Sequence, residues 1–185
     1  MLKALLDRLA IRPLERAFGY DASYMRDVLD ASPAAFLKFG VLSGLTPRKA
    51  APAEALAAAG IAATLREDCG PCTQIGVDMA ERTGVPQAVL RGILAGDERA
   101  MGETAALAWR FANASLDRDM AIADPLRDEI VRRWGRKALV AISLSIVTGR
   151  MYPTLKYALG HGKTCSKIVV GGQAAPFERP LGLAA

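Results

Sequence analysis

The chain has 185 residues, 24 Lys and Arg against 19 Asp and Glu for a formal charge of +5, and 51% apolar residues. That length and balance point to one compact domain with terminal extensions and exclude a disordered chain or a highly charged tail protein. Thirty-four alanines with only 6% aromatic residues favour closely packed helices and exclude an all-β fold, which draws on Val, Ile, Thr and aromatic side chains.

In chain order, Leu2 to Phe18 reads as an opening helix broken at Pro13. A second helix spans Asp21 to Leu29, and Ser32-Pro33 starts a third that runs through Leu42. Residues 1–48 thus form an N-terminal helical extension, 49–159 a core, and 160–185 an irregular tail. The core opens with Lys49 to Arg66, nearly continuous alanine with Glu54, Leu56, Ile61 and Leu65, where Gly60 permits a close neighbour. Asp68 is placed as the N-cap of the next helix, which carries Cys69-Gly70-Pro71-Cys72 in its first turn and ends at Thr83-Gly84. Val85-Pro86 opens a short helix through Leu94, and Glu98 to Ala114 forms a longer one. Asp124-Pro125 starts Leu126 to Trp134, Gly135 interrupts, and the apolar Ala138 to Thr148 reads as a buried helix continuing past a kink at Pro153 to Leu159. In the tail, Lys167 to Val170 has the composition of a short strand.

The positive charge is dispersed, and its one tight group, Arg132, Arg133, Arg136 and Lys137, has only Trp134 as an interleaved aromatic. A solvated helix end accounts for it, so no nucleic-acid partner is expected. Ala138 to Thr148 is too short to span a bilayer and the N-terminus is unlike a secretory signal, so no membrane partner is expected either. Cys69, Cys72 and Cys165 cannot close a disulfide framework, which fits a reducing, cytoplasmic location.

Residues i and i+3 of a helix share a face, so Cys69 and Cys72 lie close enough for reversible disulfide formation. At a helix N-terminus the unpaired N–H groups and the dipole stabilise thiolate, Cys69 more than Cys72. Zinc would need two more ligands, and only the distant His161 and Cys165 are offered; neither a metal nor a cofactor is expected. The four letters Cys-Gly-Pro-Cys are also those of thioredoxin, but that motif follows a strand, and here an alanine-rich helix precedes it. Gln74, Asp78 and Glu81 read as a solvated face, and Tyr24, Trp109 and Tyr152 as core or interface aromatics.

A CxxC between an alanine-rich helix and a second helix ending Thr83-Gly84-Val85-Pro86 resembles the carboxymuconolactone decarboxylase family, and within it the alkylhydroperoxidase D (AhpD)-like proteins. The match runs from Lys49 to Leu94. It continues more weakly through Ala105 to Trp109, Leu126 to Ile130 and Gly149 to Tyr152. The resemblance implies an all-α, homo-oligomeric, thiol-dependent peroxidase with a peroxide substrate and an external dithiol reductant. It makes Cys72 the cysteine that attacks and Cys69 the one that resolves. The family pattern also places a histidine four residues after the second cysteine and a glutamate twelve before the first. Those positions are Gly76 and Ala57 here, so the usual proton relay is missing. Glu67 is the first substitute as proton acceptor and Glu54 the second. Two alternatives stand beside this reading: a lactone decarboxylase, and a non-catalytic helical oligomer stapled by a redox-sensitive cysteine pair.

Overall fold

The computed structural model describes residues 2–44, 46–162 and 167–177. They form helices α1 (Leu2–Leu6), α2 (Arg12–Phe18), α3 (Ser23–Ala31), α4 (Pro33–Gly44), α5 (Ala53–Arg66), α6 (Gly70–Arg82), α7 (Gln87–Ala95), α8 (Glu98–Asp117) and α9 (Met120–Ala158), followed by strands β1 (Ile168–Val170) and β2 (Gln173–Ala175). The fold is all-α apart from this one hairpin, as the composition requires.

Local chemistry sets most of the boundaries. Between α1 and α2 the helix widens into a π turn, Asp7–Ile11, where the Arg12 N–H reaches back to the Asp7 carbonyl. This wide turn brings the chain to Pro13, whose ring would otherwise collide with a carbonyl of the preceding turn and which has no N–H to give. The helix is therefore widened at the proline and not broken by it. Ser32 caps α4 by accepting from the Ala35 N–H at 3.2 Å, and Asp97 caps α8 by accepting from Arg99 and Ala100. Asp97→Ala is expected to lower stability by about 1 kcal/mol, read as a shift in the urea midpoint at constant slope.

Several boundaries differ from the sequence reading: α5 starts at Ala53 and not Lys49, α8 runs on to Asp117, and two further differences have a capping cause. The helix read as starting after Asp124 starts at Met120, because Asp119 caps it by accepting from the Ile122 N–H and Pro125 is then carried inside. Cys69, and not Asp68, stands at the N-cap position of α6; Asp68 takes a left-handed conformation (φ 47°) that makes the reversal out of α5, a geometry aspartate tolerates. Gly135 breaks α9 as expected (φ 82°, ψ 170°).

α5 is the central helix, packed against α6, α7, α8 and α9. Its alanines permit this: Ala55, Ala58, Ala59, Ala62 and Ala63 are all buried. The α5–α9 approach is tight at Gly149, where an added Cβ would stand 2.7 Å from the Gly60 carbonyl oxygen and 2.8 Å from the Ala63 Cβ. The N-terminal helices hold a second apolar cluster around Ile11, Tyr24, Met25 and Leu29, which meets the main core through Ile75, Tyr152 and Leu155. Arg26 ties that unit together, donating to Asp7 and to both oxygens of Glu15.

The segment read as a buried helix, Ala138 to Thr148, is buried along one face only. Ala138, Ala141, Ile142 and Ile146 are enclosed while Val140 and Val147 are exposed. By length and composition α9 is apolar enough to cross a membrane, a property shared with core helices of soluble proteins. The basic group on α9 is partly neutralised, since Glu129 pairs with both Arg132 and Arg133.

In the tail, Ile168 to Val170 pairs antiparallel with Gln173 to Ala175. The residues read as a solvated face of α6 are half-buried beneath it. Gln74 donates to the Val169 carbonyl at 2.9 Å and accepts the Val169 N–H at 2.7 Å, and Glu81 accepts from the Gly171 N–H at 2.7 Å. A two-stranded hairpin leaves edge groups unpaired, and these side chains supply partners.

Candidate functional site

The turn from α5 into α6 places the cysteine pair. Cys69 N–H points back to the Thr64 carbonyl at the end of α5, and the Cys69 carbonyl accepts from both the backbone N–H and the hydroxyl of Thr73. Cys72 lies in the first turn of α6. Both thiols are free and buried, Cys69 at 2% exposure and Cys72 at 8%.

The two sulfurs divide the charge between them. Hydrogen bonding from the Cys72 thiol holds the Cys69 pKa down, to about 7; burial opposes this, and the Cys72 N–H and Lys156 add to the lowering. The Cys72 N–H acts at a geometry outside an ordinary capping hydrogen bond. Cys72 moves strongly the other way, because it is the donor to Cys69 and is itself buried. Of the two, Cys69 is therefore the sulfur more readily ionised, and Cys72 the one that holds its proton more tightly.

Lys156, on the last turns of α9, is only 4% exposed. Its ammonium lies 4.9 Å from the ring centre of Tyr20 and 5.9 Å from that of Tyr24, and among the described residues no carboxylate pairs with it. A buried cation held against aromatic faces favours negative charge on the sulfurs. The Tyr20 hydroxyl is 4.0 Å from the Cys72 sulfur. Burial, first of all, pushes the pKa of both Tyr20 and Tyr24 up, so they remain neutral phenols.

Beside Cys72 opens a cavity of about 470 Å³. α5 lines it with Ala53, Leu56, Ala57, Gly60, Ile61 and Thr64, and α6 with Cys72, Ile75, Gly76, Met79, Ala80 and Thr83. The N-terminal extension closes a side through Leu14, Phe18, Tyr20 and Tyr24, and α9 supplies Ser145, Gly149 and Tyr152. Cys72 reaches this cavity and Cys69 does not. Ala57 and Gly76, where the AhpD-like resemblance would place a glutamate and a histidine, both line it. Among the described residues the lining holds no Asp, Glu or His, and a Cβ on Gly76 would already touch the Ile61 side chain at 3.3 Å.

The structure keeps Glu67 outside the cavity. Its carboxylate is bound by Arg150 and by the Thr154 hydroxyl at 3.4 Å, an ion pair across the α5–α9 surface. Glu54 is half-buried and does not line the cavity either. His161 is clamped on α3, with Nδ1 3.1 Å from the Ser23 hydroxyl and Nε2 2.6 Å from Asp27; Cys165 lies outside the described residues.

Sequence reasoning missed Tyr20 and Lys156. Lys156 carries a readable signal, since it follows Ser145, Gly149 and Tyr152 along one helical face, so a lysine falls on a core-facing stripe. Tyr20 has none, because its position depends on how the N-terminal helices dock. No family model, curated protein or solved structure matches this chain.

Proposed function

We propose that the protein is a thiol-dependent peroxidase-type enzyme in which Cys72 reacts and Cys69 serves first as base and then as resolving thiol. One arrangement carries this reading: Cys72 lines the cavity while Cys69, whose pKa the Cys72 thiol holds down, does not. The AhpD-like resemblance assigns the same order of attack. The proton acceptor in this scheme is Cys69, not Glu67, since Glu67 is bound by Arg150.

In the proposed cycle the Cys72 sulfur attacks the terminal oxygen of a hydroperoxide while its proton passes to the Cys69 thiolate. The O–O bond breaks, and the alkoxide leaves as the alcohol with that proton. The Cys69 thiolate then displaces hydroxide from the Cys72 sulfenic acid, giving the disulfide, and the hydroxide leaves to bulk solvent, where the buffer acid protonates it to water. Two sulfurs are oxidised, one peroxide is reduced, and an external dithiol restores the pair by exchange. A homo-oligomer that covers the exposed Val140 and Val147 and a reducing cytoplasmic location belong to the same proposal.

Burial of both sulfurs also favours a second reading, a redox-sensitive staple without turnover. The lactone decarboxylase reading gains no support from a cavity whose described lining has no carboxylate or imidazole. Consumption of cumene hydroperoxide in the presence of a dithiol separates the first two. The enzyme reading expects steady turnover by the unaltered protein and loss of turnover in Cys69→Ser and Cys72→Ser. Consumption no faster than that of the double variant would leave only the staple.

A further inference from the structure

The cavity has two chemically different ends. α5 and α6 are joined by a tight reversal and run antiparallel, so Thr64 of α5 and Cys72 of α6 share one end while Ala53 and Thr83 share the other. Each helix lines the cavity over an eleven-residue separation, Ala53 to Thr64 and Cys72 to Thr83, which is about 16 Å of helix. The long wall between is apolar: Leu56, Ile61, Ile75 and Met79 with Leu14 and Phe18 opposite.

The polar groups of the wall are nearly all committed. The hydroxyls of Thr64, Thr83, Ser145 and Thr148 donate to carbonyls of their own helices. Thr46 differs. Its hydroxyl is buried against the cavity and, among the described residues, has no hydrogen-bond partner, a desolvation cost that a ligand acceptor would relieve. Next to it in the lining stands Arg48, exposed and, among the described residues, without an ion pair. Both lie in the lining segment that leads into Ala53, the α5 residue at the end away from Cys72. An unpaired guanidinium and an unsatisfied hydroxyl form a donor set for a carboxylate, and no acidic side chain of the described lining opposes an anion there.

We propose that this cavity binds a medium-chain monocarboxylate, its carboxylate held by Arg48 and Thr46 and its alkyl chain running along α5 and α6 toward Cys72. The volume fits a small-molecule site, which typically spans about 300–1,000 Å³. The site needs no charge on either sulfur, so it stands apart from the peroxidase reading and survives its failure.

Titration calorimetry of the full reduced chain with laurate tests it. Saturable binding at one site per chain is expected, weakened at least about tenfold in Arg48→Glu, because a charge-assisted pair is lost and a like charge is introduced. Thr46→Val should weaken it less. Lauryl alcohol should bind without sensitivity to Arg48→Glu. Arg48 is exposed, so its substitution leaves the fold intact. Absence of saturable binding, or equal laurate affinity in Arg48→Glu and the unaltered chain, would overturn the proposal.

Discussion

Cys72→Ala is expected to raise the Cys69 pKa from about 7 to near the ordinary thiol value, because the alanine removes the S–H donor that holds it down. The sign follows from which form is favoured. A lowered pKa means thiolate persists as pH falls toward 7 and is lost below it. A thiol of pKa about 7 is about half ionised at neutral pH, whereas one near pKa 8.5 is ionised to only a few per cent, so thiolate at pH 7 should fall roughly fifteenfold. Ultraviolet thiolate absorbance against pH measures this directly and needs no reagent to reach the buried sulfur. Lys156→Met should move the same curve upward by a smaller amount, since the ammonium acts through space and ranks behind the Cys72 donor. Lys156→Arg should restore most of it. A titration unchanged in Cys72→Ala would mean that the sulfurs do not share the proton, and the proposed base in the cycle would be lost.

Gly149→Leu should be among the most destabilising single changes in the protein, by about 3 kcal/mol. An added Cβ meets the Gly60 carbonyl oxygen and the Ala63 Cβ inside van der Waals distance, and neither can rotate away. The backbones of α5 and α9 must separate, which loosens contacts along the central helix and the cavity wall that both line. Gly40→Ala gives the opposite sign, since its Cβ would meet nothing within 4 Å and alanine favours helix by about 0.5–1 kcal/mol. Urea unfolding at constant slope reads both. Equal midpoints for the two variants would show that the α5–α9 approach carries no packing constraint.

The helical skeleton was largely legible because the signals that set it are local. Alanine content, Ser32 before Pro33, Gly96-Asp97, Thr83-Gly84 and the break at Gly135 each act within a turn of the helix they shape. Misreadings arose where two local signals competed. Asp119 captured the start that Asp124-Pro125 also advertises, and Asp68 served as a left-handed turn residue in place of a cap. The π turn before Pro13 answers a steric problem that propensity alone does not describe. Gln74 and Glu81 looked solvated because nothing nearby in sequence shows that a hairpin some ninety residues later needs their hydrogen bonds.

The candidate site divides in the same way. Spacing alone put Cys69 and Cys72 together, since three residues along a helix fix a shared face, whereas Ala57 and Gly76 were singled out only by the family resemblance. Tertiary structure decided the rest. It turned Glu67 to Arg150, brought Tyr20 from the N-terminal helices and Lys156 from α9 to the sulfurs, and set Thr46 and Arg48 in the cavity lining. A helix end is settled by neighbours in the chain, whereas the proton affinity of a buried sulfur is settled by whichever charges and donors the packing of distant helices places around it.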